Sequence, residues 1–223
     1  MRVLKEIGGL ISKELILEWR QAYAINSILL YLGSVVFICY LSIGIGNNQL
    51  NPIIWNALYW IILLFVAVNG VAKSFMLEGK GRMLYYYSLV SPVAVIISKI
   101  VYNSFLTILL ALLGLAAYSF IMSNPVQDMQ LFIINILLAS LGFAGVLTLT
   151  SGIAAKARNS ATIMSILSFP VIIPVLLMAI KISKNAMDGL DVSVSTKPLM
   201  TLGAIDVLIV MTAIILFPYL WRS

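Results

Sequence analysis

VAKSFMLEGKGRMLYYYSLVSPVAVIISK, residues Val71 to Lys99, joins two apolar runs that are each long enough to cross a bilayer. It holds four of the chain's 14 Lys+Arg (Lys73, Lys80, Arg82 and Lys99), a lone acid at Glu78, a Gly-Lys-Gly break and three consecutive tyrosines. Ser91-Pro92 then opens the next run. A polar, basic hinge between two hydrocarbon-length segments reads as the water-exposed turn of a membrane hairpin, and the rest of the chain is organised around it. Tyr85, Tyr86 and Tyr87 suit a belt at headgroup level, although three adjacent rings could also stack a planar ligand.

Composition supports the same class. The chain is 62% apolar and 10% charged, whereas a soluble domain carries about a quarter charged residues. Backbone groups in hydrocarbon must pair within a helix or a closed barrel. The apolar runs are roughly 20 residues long, not the ~10-residue alternating strands of a barrel. The expected class is therefore all-α, a polytopic helical membrane protein. The net charge of +6 sits beside the spans, where it sets orientation and meets anionic headgroups; it does not indicate nucleic-acid binding. Cys39 is the one cysteine, so no intrachain disulfide forms, and the absence of histidine excludes His proton relays, His zinc sites and His ligation of haem. No cleavable leader is expected, since the first apolar run is long enough to remain as a span.

Residues 1–22 form a charged, amphipathic opening. Val3, Leu4, Ile7, Leu10, Ile11, Leu15 and Trp19 recur at helical spacing against Arg2, Lys5, Glu6, Lys13 and Glu14. This predicts a helix lying in the membrane interface, with a plain extension of the first span as the alternative. Six spans follow, roughly 23–45, 53–71, 95–121, 131–154, 160–180 and 201–220, within one membrane domain over 1–223. Trp55, Tyr59 and Trp60 open the second span as a further headgroup belt. Ala139, Gly142, Gly145 and Gly152 give the fourth a small-residue stripe for close helix approach. Pro170 and Pro174 predict a kink or break in the fifth. The segment Lys181 to Met200 is expected as the longest loop on its side of the membrane, suited to a short surface or re-entrant helix.

With the N-terminus inside, the inner segments hold 11 Lys+Arg and the outer loops hold Lys181, Lys184 and Lys197. That bias places both termini in the cytoplasm. No internal repeat supports an inverted-repeat transporter.

No catalytic set is present, and there is no Walker A loop. Glu14 and Glu18 lie one helical turn apart beside Lys13 and Arg20, a pattern for salt bridging or partner contact rather than acid–base work. Asp206 is an acid within the sixth span, counted near its outer end. It reads either as a group snorkelling to the outer interface or as part of a pathway or partner contact. The ten methionines lack accompanying ligands and read as apolar filler.

Three ordered patterns resemble one family. Ser165-Ile166-Leu167, Pro170 and Ile173-Pro174-x-Leu176 resemble the fifth span of CcmB, the haem exporter protein B family of cytochrome c maturation. Lys13-Glu14-Leu15 with Glu18 and Arg20 is similar to the family's opening segment. Glu78, Gly81, Leu84, Leu89, Ser91-Pro92 and Ser98-Lys99 follow the order of its loop between spans two and three. Arg82 after Gly81, and Tyr85 where an acid would fall, depart from the family's more acidic loop.

The resemblance implies an ABC-2-type permease subunit of the bacterial inner membrane, a non-catalytic chain present in more than one copy. Its implied partners are a CcmA-like ATPase, CcmC-like and CcmD-like membrane subunits and the haem chaperone CcmE. It implies that ATP hydrolysis on the ATPase is coupled to haem handling and to release of haem-loaded CcmE on the periplasmic side. It further implies ATPase coupling through Glu14, Glu18, Arg20, Glu78, Arg82, Leu84 and Tyr85, with Pro170 and Pro174 as a hinge. The chain alone is expected to bind no cofactor; haem is cargo and ATP belongs to the partner. The rival readings are an ABC-2 permease for another cargo, such as a drug or glycan, and a non-ABC assembly protein. A solvated basic loop that only sets topology is the plain reading of the central stretch.

Overall fold

A computed structural model describes residues 2–20, 23–44, 51–71, 75, 90–155 and 160–222. They form seven helices: α1 (Arg2–Arg20), α2 (Tyr23–Cys39, continued by a π-helical turn Tyr40–Gly44), α3 (Pro52–Val71), α4 (Pro92–Met122), α5 (Met129–Ala154), α6 (Ser160–Met187) and α7 (Val192–Arg222). Helices α3 to α7 are each long and apolar enough to cross a bilayer, and α2 contributes a shorter apolar stretch, Asn26–Ser42. That stretch of 17 residues rises about 26 Å at 1.5 Å per residue, near the lower limit for a crossing. The architecture is a polytopic all-α membrane bundle, as the apolar runs predict.

Local chemistry sets the helix ends. Ser91 caps α4, its hydroxyl accepting from Ala94 N at 3.3 Å, and Pro92 occupies the first turn, where its missing N–H costs nothing. The Asp128 carboxylate caps α5 by accepting from Leu131 N at 2.9 Å. Gly189, at φ +62, turns the chain between α6 and α7, where a Cβ would meet the Gln127 side chain.

One sequence expectation changes here. The loop expected over 181–200 is a four-residue turn, Asp188 to Asp191, because α6 runs on to Met187 and α7 begins at Val192. Hydropathy locates where a helix leaves hydrocarbon; lysines and serines outside the bilayer can continue the same helix. At 31 residues, α7 rises about 46 Å against a hydrocarbon core of about 30 Å. Pro170 and Pro174 lie inside a helix that continues through both. They leave the carbonyls of Ile166 and Pro170 without their usual helical donors.

Helix α5 is the centre of the bundle. Its most apolar window is 72% buried, against 28% for α6 and 22% for α7. The end of the bundle remote from the chain termini holds an aromatic core of Trp55, Tyr59, Trp60, Tyr118, Phe132 and Phe143, all at most 2% exposed. Trp55, Tyr59 and Trp60 were expected to face headgroups and instead point inward. Their polar tips find partners there: Trp55 Nε1 donates to Ser123 O at 2.9 Å and Trp60 Nε1 to Ser183 Oγ at 2.7 Å. The Tyr59 hydroxyl donates to Ala111 O at 3.2 Å. Such pairing removes the cost that otherwise holds these rings at the water boundary. At the termini end, a second core joins Phe75, Val95, Ile96, Ile100, Leu149, Ala213 and Phe217, with Leu10 of α1 packed on it.

Candidate functional site

Helix α1 is fastened to the start of α4 at two points. Near its beginning, Glu6 Oε2 accepts from Ser91 N at 3.3 Å and from Ser91 Oγ at 3.2 Å. A carboxylate placed there also meets the positive end of the α4 dipole. Farther along, Lys99 Nζ lies 3.3 Å from Glu14 Oε1. Glu6 and Glu14 are eight residues apart, as are Ser91 and Lys99. Eight residues rise about 12 Å on either helix, so the two contacts are in register and α1 runs alongside α4 in the same direction.

The second contact is the more buried. The Lys99 side chain is 3% exposed and that of Glu14 is 18% exposed. The ammonium sits 4.7 Å from the centre of the Phe75 ring, within cation–π range. Lys13 supplies a second cation to the carboxylate at 2.9 Å. Burial by itself raises the Glu14 pKa, but Lys99 and Lys13 outweigh it and leave the carboxyl below its ordinary 4.5. A depressed folded-state value means the clamp's contribution is complete above about pH 4.5 and is lost as pH falls through the folded value. Thermal unfolding of the wild type and Glu14→Gln across the acid range therefore shows two curves that converge on acidification. A gap that stays constant down to pH 3 would contradict a charged clamp.

Of the residues singled out in the sequence, Glu14 is drawn into this site. The side chains of Glu18 and Arg20, and all of Glu78, Arg82, Leu84 and Tyr85, lie outside the described residues. The sequence does not pair Glu6 of α1 with Ser91, or Glu14 with Lys99, across to α4. The matched spacing of eight residues and the Ser-Pro cap signature were present in the sequence, but nothing local pairs positions 85 residues apart.

Asp206 is distant from the clamp and not where the span count put it. It is 8% exposed and lies at Gly142 of α5, which Val175 of α6 also approaches. Gly142 is 13 residues from the start of α5 and 12 from its end, and Asp206 is 14 and 16 residues from the ends of α7. The carboxyl therefore lies at the middle of the bundle and does not snorkel to the outer interface. The count failed because α7 starts nine residues before the apolar run that defined the span.

The family model described as CcmB protein matches residues 5–218, nearly the whole chain. The chain belongs to the CcmB family. No curated protein matches it. Membership makes the chain a permease subunit of the haem-exporting cytochrome c maturation ABC system, a multi-component system that includes an ATPase partner and other Ccm proteins. The matched region contains the clamp, the proline pair of α6 and Asp206.

Proposed function

We propose that this protein couples ATP hydrolysis on a separate, CcmA-like ATPase to haem handling and to release of haem-loaded CcmE on the periplasmic side. It works in the bacterial inner membrane beside CcmC-like and CcmD-like subunits, in more than one copy per complex. By the bias of basic residues, the end of the bundle carrying the termini is cytoplasmic, so α1, the clamp and the segment 72–89 face the ATPase. Haem is cargo, and ATP stays on the partner.

The observation that carries this reading is the two-point attachment of α1 to α4. Beside the packing of Leu10 on the second core, the two polar contacts fix the direction of α1 along α4. Two contacts in register about 12 Å apart make α1 and the start of α4 move together. Helix α4 packs on α3, α5 and α7, so displacement at the cytoplasmic face is delivered into the bundle. Glu78, Arg82, Leu84 and Tyr85 would supply the remaining contacts to the ATPase, with Glu18 and Arg20 on α1. Coupling of this kind requires two arrangements of the bundle that nucleotide populates differently.

The test is ATP turnover of the assembled complex. Glu78→Ala and Arg82→Ala are each expected to lower it about fivefold or more, the range of ordinary site-to-site coupling, while the subunits still copurify. Unchanged turnover and unchanged haem delivery in both variants would rule out the coupling role. Copurification without any ATPase would remove the assignment to an ABC complex.

A further inference from the structure

The mid-membrane joint between α5, α6 and α7 combines four features that no packing requirement brings together. First, both carboxyl oxygens of Asp206 are buried and have no hydrogen-bond partner among the described residues. An acid in this position is costly in either protonation state, and such groups characteristically meet water or a polar partner during function. Second, α7 meets a smooth surface. A Cβ on Gly142 would lie 2.5 Å from Asp206 Oδ1, and one on Gly145 would lie 2.9 Å from Ile209 Cγ2. With no side chain at either position, Asp206 and Ile209 of α7 lie directly against the α5 backbone at this level. Third, α6 is weakened at the same level. Val175, which packs beside Asp206 at Gly142, directly follows Pro174, and two helical hydrogen bonds are missing around it. Fourth, there is room. A groove of about 360 Å³ runs between the three helices, bordered by Val146, Thr150, Pro174, Ile205, Ile209 and Thr212.

We propose that Asp206 is a mid-membrane hydration site: α7 has a second arrangement, shifted off the glycine face of α5 into this groove, in which water reaches the Asp206 carboxyl. The packing described above is the dry arrangement. The shift exchanges contacts with Gly142 and Val175 for hydration of the acid, and α6 yields at Pro170 and Pro174 as it occurs. The hydration site does not depend on the ATPase coupling proposed above; only its response to nucleotide does.

Asp206→Cys in a Cys39→Ser background, assembled in the full complex in membranes, tests this with a water-soluble methanethiosulfonate reagent. A thiol in lipid or in a dry core does not react, whereas one that meets water does. A second arrangement populated at about 1–10% gives labelling at roughly 1–10% of the rate of a solvent-exposed control, Asp188→Cys. Val207→Cys, 57% exposed on α7 and not among the groove's lining residues, sets the lipid background. Labelling above that background in nucleotide-free or ATP-held complex supports the hydration site. Labelling that is the same in both states supports it as well, and counts only against the ATPase coupling. Labelling at background in both states overturns it. Hydrogen exchange on the unmodified complex gives an independent reading that does not rely on the variant folding. Amides of 203–210 are expected to exchange faster than those of 142–149, and equal protection of the two segments would also overturn the proposal.

Discussion

Glu14→Gln is expected to destabilise the protein by about 3 kcal/mol, the lower end of the range for removing one partner of a buried ion pair. The substitution removes the carboxylate lying 3.3 Å from an ammonium that is only 3% exposed. The lower end applies because Glu14 itself keeps 18% exposure, so some of its charge is already screened. In a chain of this length, 3 kcal/mol corresponds to a fall in Tm of about 6–12 °C, read by thermal unfolding in detergent. The double variant Glu14→Gln/Lys99→Met distinguishes charge from packing. Once the ammonium is also replaced by an apolar group of similar length, most of the loss is recovered, since an apolar pair is often no worse than a buried ionic one. A double variant as unstable as the sum of the singles would mean that the two side chains are not coupled. In the assembled complex, the single variant is also expected to lower ATP turnover, because α1 would then lose one of its two polar attachments to α4.

Gly142→Val is the other large effect. Its Cβ alone would lie 2.5 Å from Asp206 Oδ1 and 2.8 Å from Val175 Cγ1, closer than real Cβ contacts come. Overpacking of this kind costs about 1–3 kcal/mol and more where the neighbours are held on both sides. Here α6 and α7 both press on the site, so a loss of about 3 kcal/mol is expected, again measured by thermal unfolding. Gly203→Ala provides the internal control. Nothing lies within 4 Å of a Cβ at that position, and alanine favours a helix interior by up to about 1 kcal/mol, so stability should hold or rise. Equal losses at both positions would show that the loss at Gly142 does not come from its contacts with α6 and α7.

The membrane class and the positions of the spans were legible in the sequence because they rest on a local sum. Some 20 successive apolar residues cross a bilayer whatever they pack against. The small-residue stripe was also legible: Gly142, Gly145 and Gly152 face Asp206, Ile209 and Phe217 of α7 as close approach requires. The clamp was half legible. Glu14 stood out as an acid in a basic opening, while its partner Lys99 lies 85 residues away in a segment that reads equally well as topology-setting charge. The helix ends beyond the bilayer were not legible from hydropathy, which is why the 181–200 segment was taken for a loop.

The sequence by itself determined the polytopic all-α membrane class and the family to which the chain belongs. Only the tertiary structure decided the direction in which each side chain points. In a soluble helix an apolar stripe marks the buried face, but a membrane helix is apolar all round because lipid and protein interior solvate it alike. Periodicity therefore says nothing about whether Trp55 and Trp60 face headgroups or the core, and they face the core. Asp206 shows the same limit. Its cost was evident from the sequence, but its burial against Gly142 at the middle of the bundle was set by where α5 and α7 cross, which no single segment encodes.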